Sequence, residues 1–295
     1  MAGRHFFRRH EGRGSYDLFS SYSHYLPGVG GMFGLLGLFL LGALLGNIII
    51  LGLNFISPEF SETYGTVISY PVMFIPAMLY ASVRSRLYDN GYSQGLPLDR
   101  GRFGRLGGLR MGVIVSIATI AAAFMTDSIS SAMPEMPQAL QDVMEKMMNG
   151  PLWISLLSVS VFAPLFEEWL CRGLVLRGLL TKVKPAAAIA ISAAFFAVLH
   201  MNPWQAIPAF ILGLLFGYVY YRTGSLKLTM LMHCVNNTLA VILGRIPALK
   251  DADTFLDMMS PWAYVCIFIA CLAFIGATIT VLQGIPQEDE PKEDE

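Results

Sequence analysis

The sequence predicts an all-α, polytopic integral membrane protein, because it is rich in apolar residues, poor in charge and divided into long apolar runs. Hydrophobic residues make up 55% of the 295 residues and charged residues only 14%, whereas soluble domains carry about 25% charged residues. A membrane-spanning helix needs about 20 apolar residues. Eight runs are predicted as spans, at 32–54, 65–83, 109–126, 152–176, 185–201, 204–221, 226–244 and 261–283.

The first apolar run follows a basic leader that contains Arg4, Arg8, Arg9 and Arg13. A basic leader before an apolar run is also a feature of cleaved signal peptides. The run at 32–54 is longer than the apolar region of a signal peptide, and no small-x-small cleavage motif follows it. We therefore predict that this run is a retained first span.

The basic residues of the loops predict the orientation of the chain. If the N-terminus is cytoplasmic and the spans alternate, 17 of the 20 Lys and Arg residues fall on the cytoplasmic side. Cytoplasmic loops of membrane proteins are enriched in these residues. The loop at 84–110, which contains six arginines, is therefore predicted to be cytoplasmic, together with both termini.

Two segments outside the spans have a recognisable pattern. Residues 133–149 carry apolar side chains at helical spacing, which indicates either an amphipathic helix on the membrane surface or an exposed loop. The tail at 286–295 is acidic and is predicted to be disordered. No basic, aromatic-rich stretch indicates nucleic-acid binding. The four cysteines form no CxxC pair, so neither a zinc knuckle nor a disulfide framework is indicated.

Charged side chains inside a span are costly, so the segment FEEWLCRG at 166–173 needs an explanation. Adjacent helical residues point about 100° apart, so Glu167 and Glu168 face different directions. Glu168 and Arg172 are four residues apart and are predicted to pair, which leaves Glu167 free to point elsewhere. The alternative is that both glutamates only neutralise Arg172 and Arg177 near the membrane edge.

Two later spans carry polar side chains on one helix face. Ser192, Phe196 and His200 in SAAFFAVLH are spaced by four residues, and so are His233 and Asn237 in HCVNN. Taken singly, a histidine at the end of a span is typical of an interfacial residue. A polar pair at this spacing is typical of hydrogen bonding between helices.

The combination of these side chains is more specific than any one of them, because they can converge on one polar cavity. A carboxylate with an imidazole can act as a general base for water. An imidazole with a carboxamide can stabilise an oxyanion. His and Glu are also zinc ligands, but the HExxH spacing of a common class of zinc proteases is absent.

The motifs EExxxR, SxxxFxxxH and HxxxN occur in this order, and the pattern resembles the CPBP intramembrane protease family. That family includes the type II CAAX prenyl endopeptidases and the bacteriocin-processing or Abi proteins. Gly213, Gly217 and the stretch RTGSLKLTMLMHCVNN at 222–237 are also similar to the family. The resemblance covers roughly residues 150–245. Together with the apolar runs and the acidic tail, it divides the chain into N-terminal spans at 1–150, a protease-like core at 151–245, a C-terminal span at 246–285 and the tail at 286–295.

The resemblance implies a catalytic site inside the membrane, near one leaflet. By this resemblance, Glu167 and His200 activate a water molecule. His233 and Asn237 stabilise the oxyanion that forms when the water attacks a peptide carbonyl.

The same resemblance implies that Glu168 and Arg172 orient the site. It leaves the need for metal open, since family members have been described both as metalloproteases and as glutamate-dependent proteases. Glu167, His200 and His233 are the candidate zinc ligands. Every catalytic role can also be filled by a side chain already present, so a site without any cofactor is equally consistent with the sequence and is the interpretation we favour.

The predicted function is therefore that of an intramembrane endopeptidase that cleaves a membrane-embedded or lipidated peptide or protein. The absence of eukaryotic sorting signals indicates a bacterial cell membrane. The alternative is a non-catalytic scaffold or bacteriocin-immunity-type protein of the same fold. A transporter that uses the polar cluster as an ion path is less favoured, because no inverted repeat of Gly/Pro-broken spans is visible.

Overall fold

A computed structural model of the chain describes residues 19–286 except 90, 92–94, 131 and 247–254. The described residues form helices and loops, without a β-strand, so the predicted all-α fold class is confirmed. The basic leader and residues 287–295 of the acidic tail lie outside the described residues. The disorder predicted for that tail therefore stays a prediction.

Each of the eight predicted spans corresponds to one helix. Within the described residues, seven helices are long and apolar enough to cross a membrane, and the helices Gln138–Asn149 (α4) and Pro185–Leu199 (α6) are not among them. Helix α6 has 15 residues and is about 22 Å long at about 1.5 Å per residue, which is shorter than a bilayer core of about 30 Å. The helices are α1 Val29–Ile56, α2 Pro58–Tyr88, α3 Gly107–Ser130, α4 Gln138–Asn149, α5 Leu152–Leu180, α6 Pro185–Leu199, α7 Pro203–Thr223, α8 Leu226–Leu243 and α9 Pro261–Gln283.

Helices α1 and α2 form a tightly packed antiparallel hairpin. The side chain of Ser57 caps α2 by accepting a hydrogen bond from the backbone N–H of Phe60, and Pro58 occupies the first turn, where a missing N–H costs nothing. A Cβ atom at Gly42 would lie 2.0 Å from the carbonyl oxygen of Met73. The two backbones therefore approach so closely at this point that only glycine fits.

Helix α5 is the centre of the bundle and packs against α2, α6 and α8. Within its most apolar stretch 56% of the residues are buried, compared with 11% for α9. Two π-helical segments, Leu156–Phe162 and Trp169–Leu176, interrupt its α-helical pattern. Pro164, which has no N–H to donate, follows the first of them. The α-helical turn Ala163–Glu168 between the two π segments carries both glutamates. Such π segments are common at functional sites.

Arg177, near the end of α5, ties the N-terminal segment to the bundle. Arg177 is one of the 17 basic residues that the predicted orientation places on the cytoplasmic side, but it is only 2% exposed. Its guanidinium donates hydrogen bonds to four main-chain carbonyls, those of Tyr22, Ser23, Tyr25 and Leu96. A Cβ atom at the next residue, Gly178, would lie 2.3 Å from the carbonyl oxygen of Pro27, so the segment crosses α5 in direct backbone contact.

Helices α6 and α7 pack closely through the small residues that the sequence indicated. A Cβ atom at Gly213 would lie 3.2 Å from Ala193, and one at Gly217 would lie 3.1 Å from Ile189. Helix α7 ends at Gly224, whose left-handed backbone (φ 66°) favours glycine. The close approach of α6 and α7 brings the polar face of α6 next to α5.

Residues 138–149 form the helix α4, so the exposed-loop alternative for this segment is wrong. The indole Nε1 of Trp204, at the start of α7, donates a hydrogen bond to the carbonyl of Pro134 at 2.7 Å. This contact fixes the loop that leads into α4 against the end of the bundle where α7 begins. The membrane-surface location of α4 stays a prediction.

The hairpin contact predicts a difference between two glycines of α1. We expect Gly42→Ala to lower the thermal unfolding temperature of the detergent-purified protein, because overpacking a close contact costs about 1–3 kcal/mol. Gly37→Ala is the matched control, since a Cβ atom there meets no other atom within 4 Å. It should leave the unfolding temperature unchanged or raise it. Equal unfolding temperatures for the two variants would contradict the close approach.

Candidate active site

A buried ion pair lies at the centre of the polar cluster. Glu168 and Arg172 are both 0% exposed, and Arg172 Nη1 donates to Glu168 Oε1 at 2.8 Å. The predicted pair is therefore present, although Arg172 lies in the second π segment. The same Glu168 oxygen lies 3.1 Å from Nδ1 of His233, so one carboxylate joins α5 to α8. The pair is fully buried, which argues against the alternative of simple neutralisation at the membrane edge.

The guanidinium of Arg172 also contacts α6 and α7. Its Nη2 donates to the carbonyl of Gly213 at 3.1 Å. Its central carbon lies 4.6 Å from the ring centre of Phe196 and 5.5 Å from that of Phe216. Buried cations over aromatic faces are stabilised by the ring quadrupole. The charge is thus compensated on several sides by neighbouring helices.

Glu167 takes no part in the ion pair, although it and Glu168 approach the two nitrogens of the same His233 ring, and its two oxygens have different environments. Oε1 accepts a hydrogen bond from the hydroxyl of Tyr70 on α2. Oε2 lies 3.9 Å from Nε2 of His233. That oxygen is buried, and none of the described residues hydrogen-bonds to it. Glu167 therefore presents one carboxylate oxygen, unoccupied by protein, next to an imidazole.

Both histidines pack against one aromatic ring. The ring centre of Phe196 is 5.0 Å from that of His200 and 5.4 Å from that of His233, both edge-on. Nδ1 of His200 lies 3.0 Å from the carbonyl oxygen of Phe196. Because a carbonyl oxygen only accepts, this nitrogen carries a proton, and Nε2 of the neutral ring is then an acceptor. The described contacts of Glu167 include His233 and do not include His200.

Asn237 lies one turn beyond His233 and is held against α5. Its Nδ2 donates to the carbonyl oxygen of Val159, in the first π segment, at 2.7 Å. Its Oδ1 accepts from Asn236 at 3.1 Å. The second N–H of this carboxamide is available for a further acceptor. Ser192, on the same face of α6 as Phe196 and His200, also contacts α5, since its hydroxyl donates to the carbonyl of Cys171 at 2.9 Å.

The structure brings the six predicted residues together to different degrees. Four of them form one connected network: Glu167, Glu168, Arg172 and His233. His200 contacts this network through the ring of Phe196, and Asn237 follows His233 on α8. In the described part of the chain no three His, Cys, Asp or Glu side chains are grouped so that they could hold a metal ion. The proposed zinc ligands Glu167, His200 and His233 therefore do not fit a metal in this arrangement.

Tyr70 is the site residue that sequence reasoning missed. It lies in α2 directly before Pro71, outside the motifs that suggested the site. A hydroxyl inside an apolar run beside a proline was the available signal, but nothing in the sequence links it to a residue 97 positions away. Only the packing of α2 on α5 reveals the contact.

Cavities at the border of the bundle, among the described residues, include one small and one larger space. A small one of about 30 Å³ lies between α2, α4 and α5, where Thr66, Ser158 and Val159 are among its lining residues. A larger apolar one of about 660 Å³ lies between α3 and the start of α8, and none of the six candidate residues lines it. The small cavity therefore reaches closer to the candidate site, since Val159 binds Asn237.

The buried pair predicts a stability loss. We expect Arg172→Ala to lower the free energy of unfolding by about 3–5 kcal/mol, because it leaves Glu168 as an unpaired buried charge. Lys146→Ala is the control, since Lys146 forms an ion pair with Glu62 at 3.9 Å in which both side chains are exposed, and such pairs contribute little. The measurement is unfolding of the purified protein in detergent. A stable but inactive Arg172→Ala protein would show that this arginine acts in catalysis alone.

Comparison with known proteins places this cluster in a family. Residues 149–239 match the family model described as type II CAAX prenyl endopeptidase Rce1-like, and this range contains all six predicted site residues. No curated protein and no solved structure gives a significant match to the chain. The match bears out the resemblance to the CPBP family that the motifs indicate, for the part of the chain that it covers.

Proposed function

We propose that this integral membrane protein is an endopeptidase that hydrolyses a peptide bond of a membrane-embedded or lipidated peptide or protein. The match to residues 149–239 supports a protease at the level of the family. The observation that carries the proposal is the buried Oε2 of Glu167, which has no hydrogen-bond partner among the described residues and lies beside His233. A carboxylate oxygen in this position is suited to bind and deprotonate water.

In the proposed mechanism Glu167 is the general base. A water molecule bound at Oε2 gives a proton to Glu167 as its oxygen bonds to the carbonyl carbon of the substrate. His200 is proposed to assist when substrate binding brings Nε2 of its neutral ring within hydrogen-bond reach of the same water, since this structure records no contact between His200 and Glu167. Both groups keep the water oriented for attack, which converts a bimolecular step into a positioned one.

The carbonyl electron pair moves to oxygen as the water attacks, and His233 and Asn237 are proposed to stabilise that oxyanion. Asn237 offers its second amide N–H, while the first stays on the Val159 carbonyl. A doubly protonated His233 can donate from Nδ1 to Glu168 and from Nε2 to the oxyanion. With this imidazolium, the two carboxylates and Arg172, the cluster has no net charge, which suits a buried site.

Glu168 and Arg172 are proposed to position the reacting groups rather than to react. Glu168 holds the ring of His233 through Nδ1, and Arg172 holds Glu168. The last step returns the proton: the carbonyl re-forms, the carbon–nitrogen bond breaks, and the departing nitrogen takes the proton from Glu167. The products are a carboxylic acid and an amine, which balance with the water consumed.

Water can reach such a site from the side of α4. The 30 Å³ cavity is large enough for one water molecule and is lined by the polar residues Thr66 and Ser158. It borders Val159, the acceptor of Asn237. We also propose the orientation read from the loop charges, in which all eight apolar helices, the short α6 included, cross a bacterial cell membrane, so that both termini lie in the cytoplasm.

The mechanism predicts that Glu167→Gln abolishes cleavage while fold and substrate binding persist. The amide has the shape of the carboxylate but cannot take up a proton, and loss of a general base costs about 10²–10⁴-fold in rate. Asn237→Ala should cost about 10²–10³-fold, as one oxyanion donor is lost. The measurement is fragment release by purified protein in lipid vesicles, followed by mass spectrometry. The substrates are a prenylated CAAX peptide and an unlipidated membrane-spanning peptide.

Two control variants remove a carboxylate and a carboxamide that lie outside the candidate site. Glu59→Gln and Asn47→Ala change an exposed carboxylate and an exposed carboxamide on the N-terminal hairpin, and both should cleave at the wild-type rate. Full activity in Glu167→Gln would rule out this mechanism. It would make the non-catalytic scaffold of the same fold the better interpretation.

A separate prediction concerns metal. Because the candidate ligands do not group around a common point, we expect extensive treatment with a strong chelator to leave the cleavage rate unchanged. Elemental analysis of active protein should find less than one zinc ion per chain. Loss of activity with the chelator and its recovery on addition of Zn²⁺ would instead assign Glu167, His200 and His233 as ligands that move together in the active enzyme.

A further inference from the structure

We propose that Tyr70 of α2 is a positioning residue for Glu167, so that the N-terminal hairpin completes the catalytic site of the family-matched core. This inference rests on the proposed function, since it assigns Tyr70 a task only if Glu167 is the base. Tyr70 lies outside the matched range 149–239. It is nevertheless the side chain whose hydroxyl donates to Oε1 of Glu167.

The hydrogen bond leaves one orientation for the carboxylate. The terminal torsion of a glutamate side chain is broad, so an unrestrained carboxylate samples many rotations. With Oε1 held by Tyr70, Oε2 is directed to the side where Nε2 of His233 lies, 3.9 Å away. A base that is already aligned needs no reorganisation when the water attacks.

The ring of Tyr70 is itself held in place by aromatic packing. Its centre lies 5.8 Å from that of Phe74, which is fully buried. Phe74 stacks on Phe166 of α5 with ring centres 5.2 Å apart and planes 17° apart. Phe166 directly precedes Glu167 in the chain. One stack of rings thus sets the distance between the hydroxyl and the carboxylate that it binds.

The chemistry of the contact predicts which kinetic constant changes. The hydroxyl is already engaged with Glu167, so the substrate does not need it for binding. Tyr70→Phe should therefore lower kcat by about 10- to 100-fold, by analogy with residues that orient metal ligands through one hydrogen bond, and leave KM within about twofold. Tyr64→Phe is the matched control on the same helix. Its ring packs on Phe60 and Trp153 and keeps those contacts as phenylalanine.

The test is a kinetic comparison of purified proteins in vesicles, with the prenylated CAAX peptide or the membrane-spanning peptide as the probe. Unfolding temperatures are measured for each variant, and kcat is expressed per folded molecule. A double variant with Glu167→Asp separates a positioning role from a structural one. Aspartate keeps a carboxylate but is one methylene shorter, so the Tyr70 contact is already lost. Tyr70→Phe should then lower kcat much less in this background than in the wild type.

The outcomes separate this inference from the proposed function. If Glu167→Gln is inactive while Tyr70→Phe turns over like Tyr64→Phe, the role of Tyr70 is overturned and the protease mechanism stands. A fully additive loss in the double variant also overturns it, because Tyr70 would then act independently of Glu167. Full activity in Glu167→Gln removes the proposed function first, and the role of Tyr70 with it.

Discussion

The arrangement of the core depends on one buried guanidinium, that of Arg172. A fully buried cation is stable only when acceptors surround it, and here these come from several helices. Glu168 lies on the same helix, Gly213 belongs to α7, and the ring of Phe196 comes from α6. Glu168 then extends the network to His233 on α8. The relative placement of α5, α6, α7 and α8 is thus tied to a single side chain, and the candidate site occupies the same place.

The sequence predicted the parts of the structure that depend on local periodicity. Apolar runs located every span, because a bilayer demands an apolar stretch of a certain length. The spacing of Glu168 and Arg172 predicted their pair. What the sequence could not predict depends on contacts between distant segments. Arg177 was assigned to the cytoplasmic side because the carbonyl oxygens that accept its hydrogen bonds belong to residues more than 70 positions away in the chain. The sequence around Arg177 gives no sign of them. The π segments were also missed, since periodicity analysis assumes an unbroken α-helix.

The residues of the candidate site were predicted from the sequence, but the contacts between them were not. Spacing placed His233 and Asn237 on one face of α8, and resemblance supplied their proposed roles. The partner of each side chain is set by how helices rotate and approach, which depends on small residues such as Gly213 and Gly42. The proximity of Glu167 to His233, and the contribution of Tyr70 from α2, follow from that packing. Neither could be read from spacing.

The contacts of Arg177 bear on how such a chain can diverge. Its four acceptors belong to residues 22–25 and 96, outside the segment that matches the family, so a fragment limited to 149–239 would leave this arginine without them. All four acceptors are main-chain carbonyls, which every residue type provides. The core therefore constrains the path of the N-terminal segment and not its side chains. The side chains of that segment can then change until its sequence no longer resembles the family, while its backbone still binds Arg177. The stretch of sequence that can be recognised is therefore shorter than the stretch that must fold together.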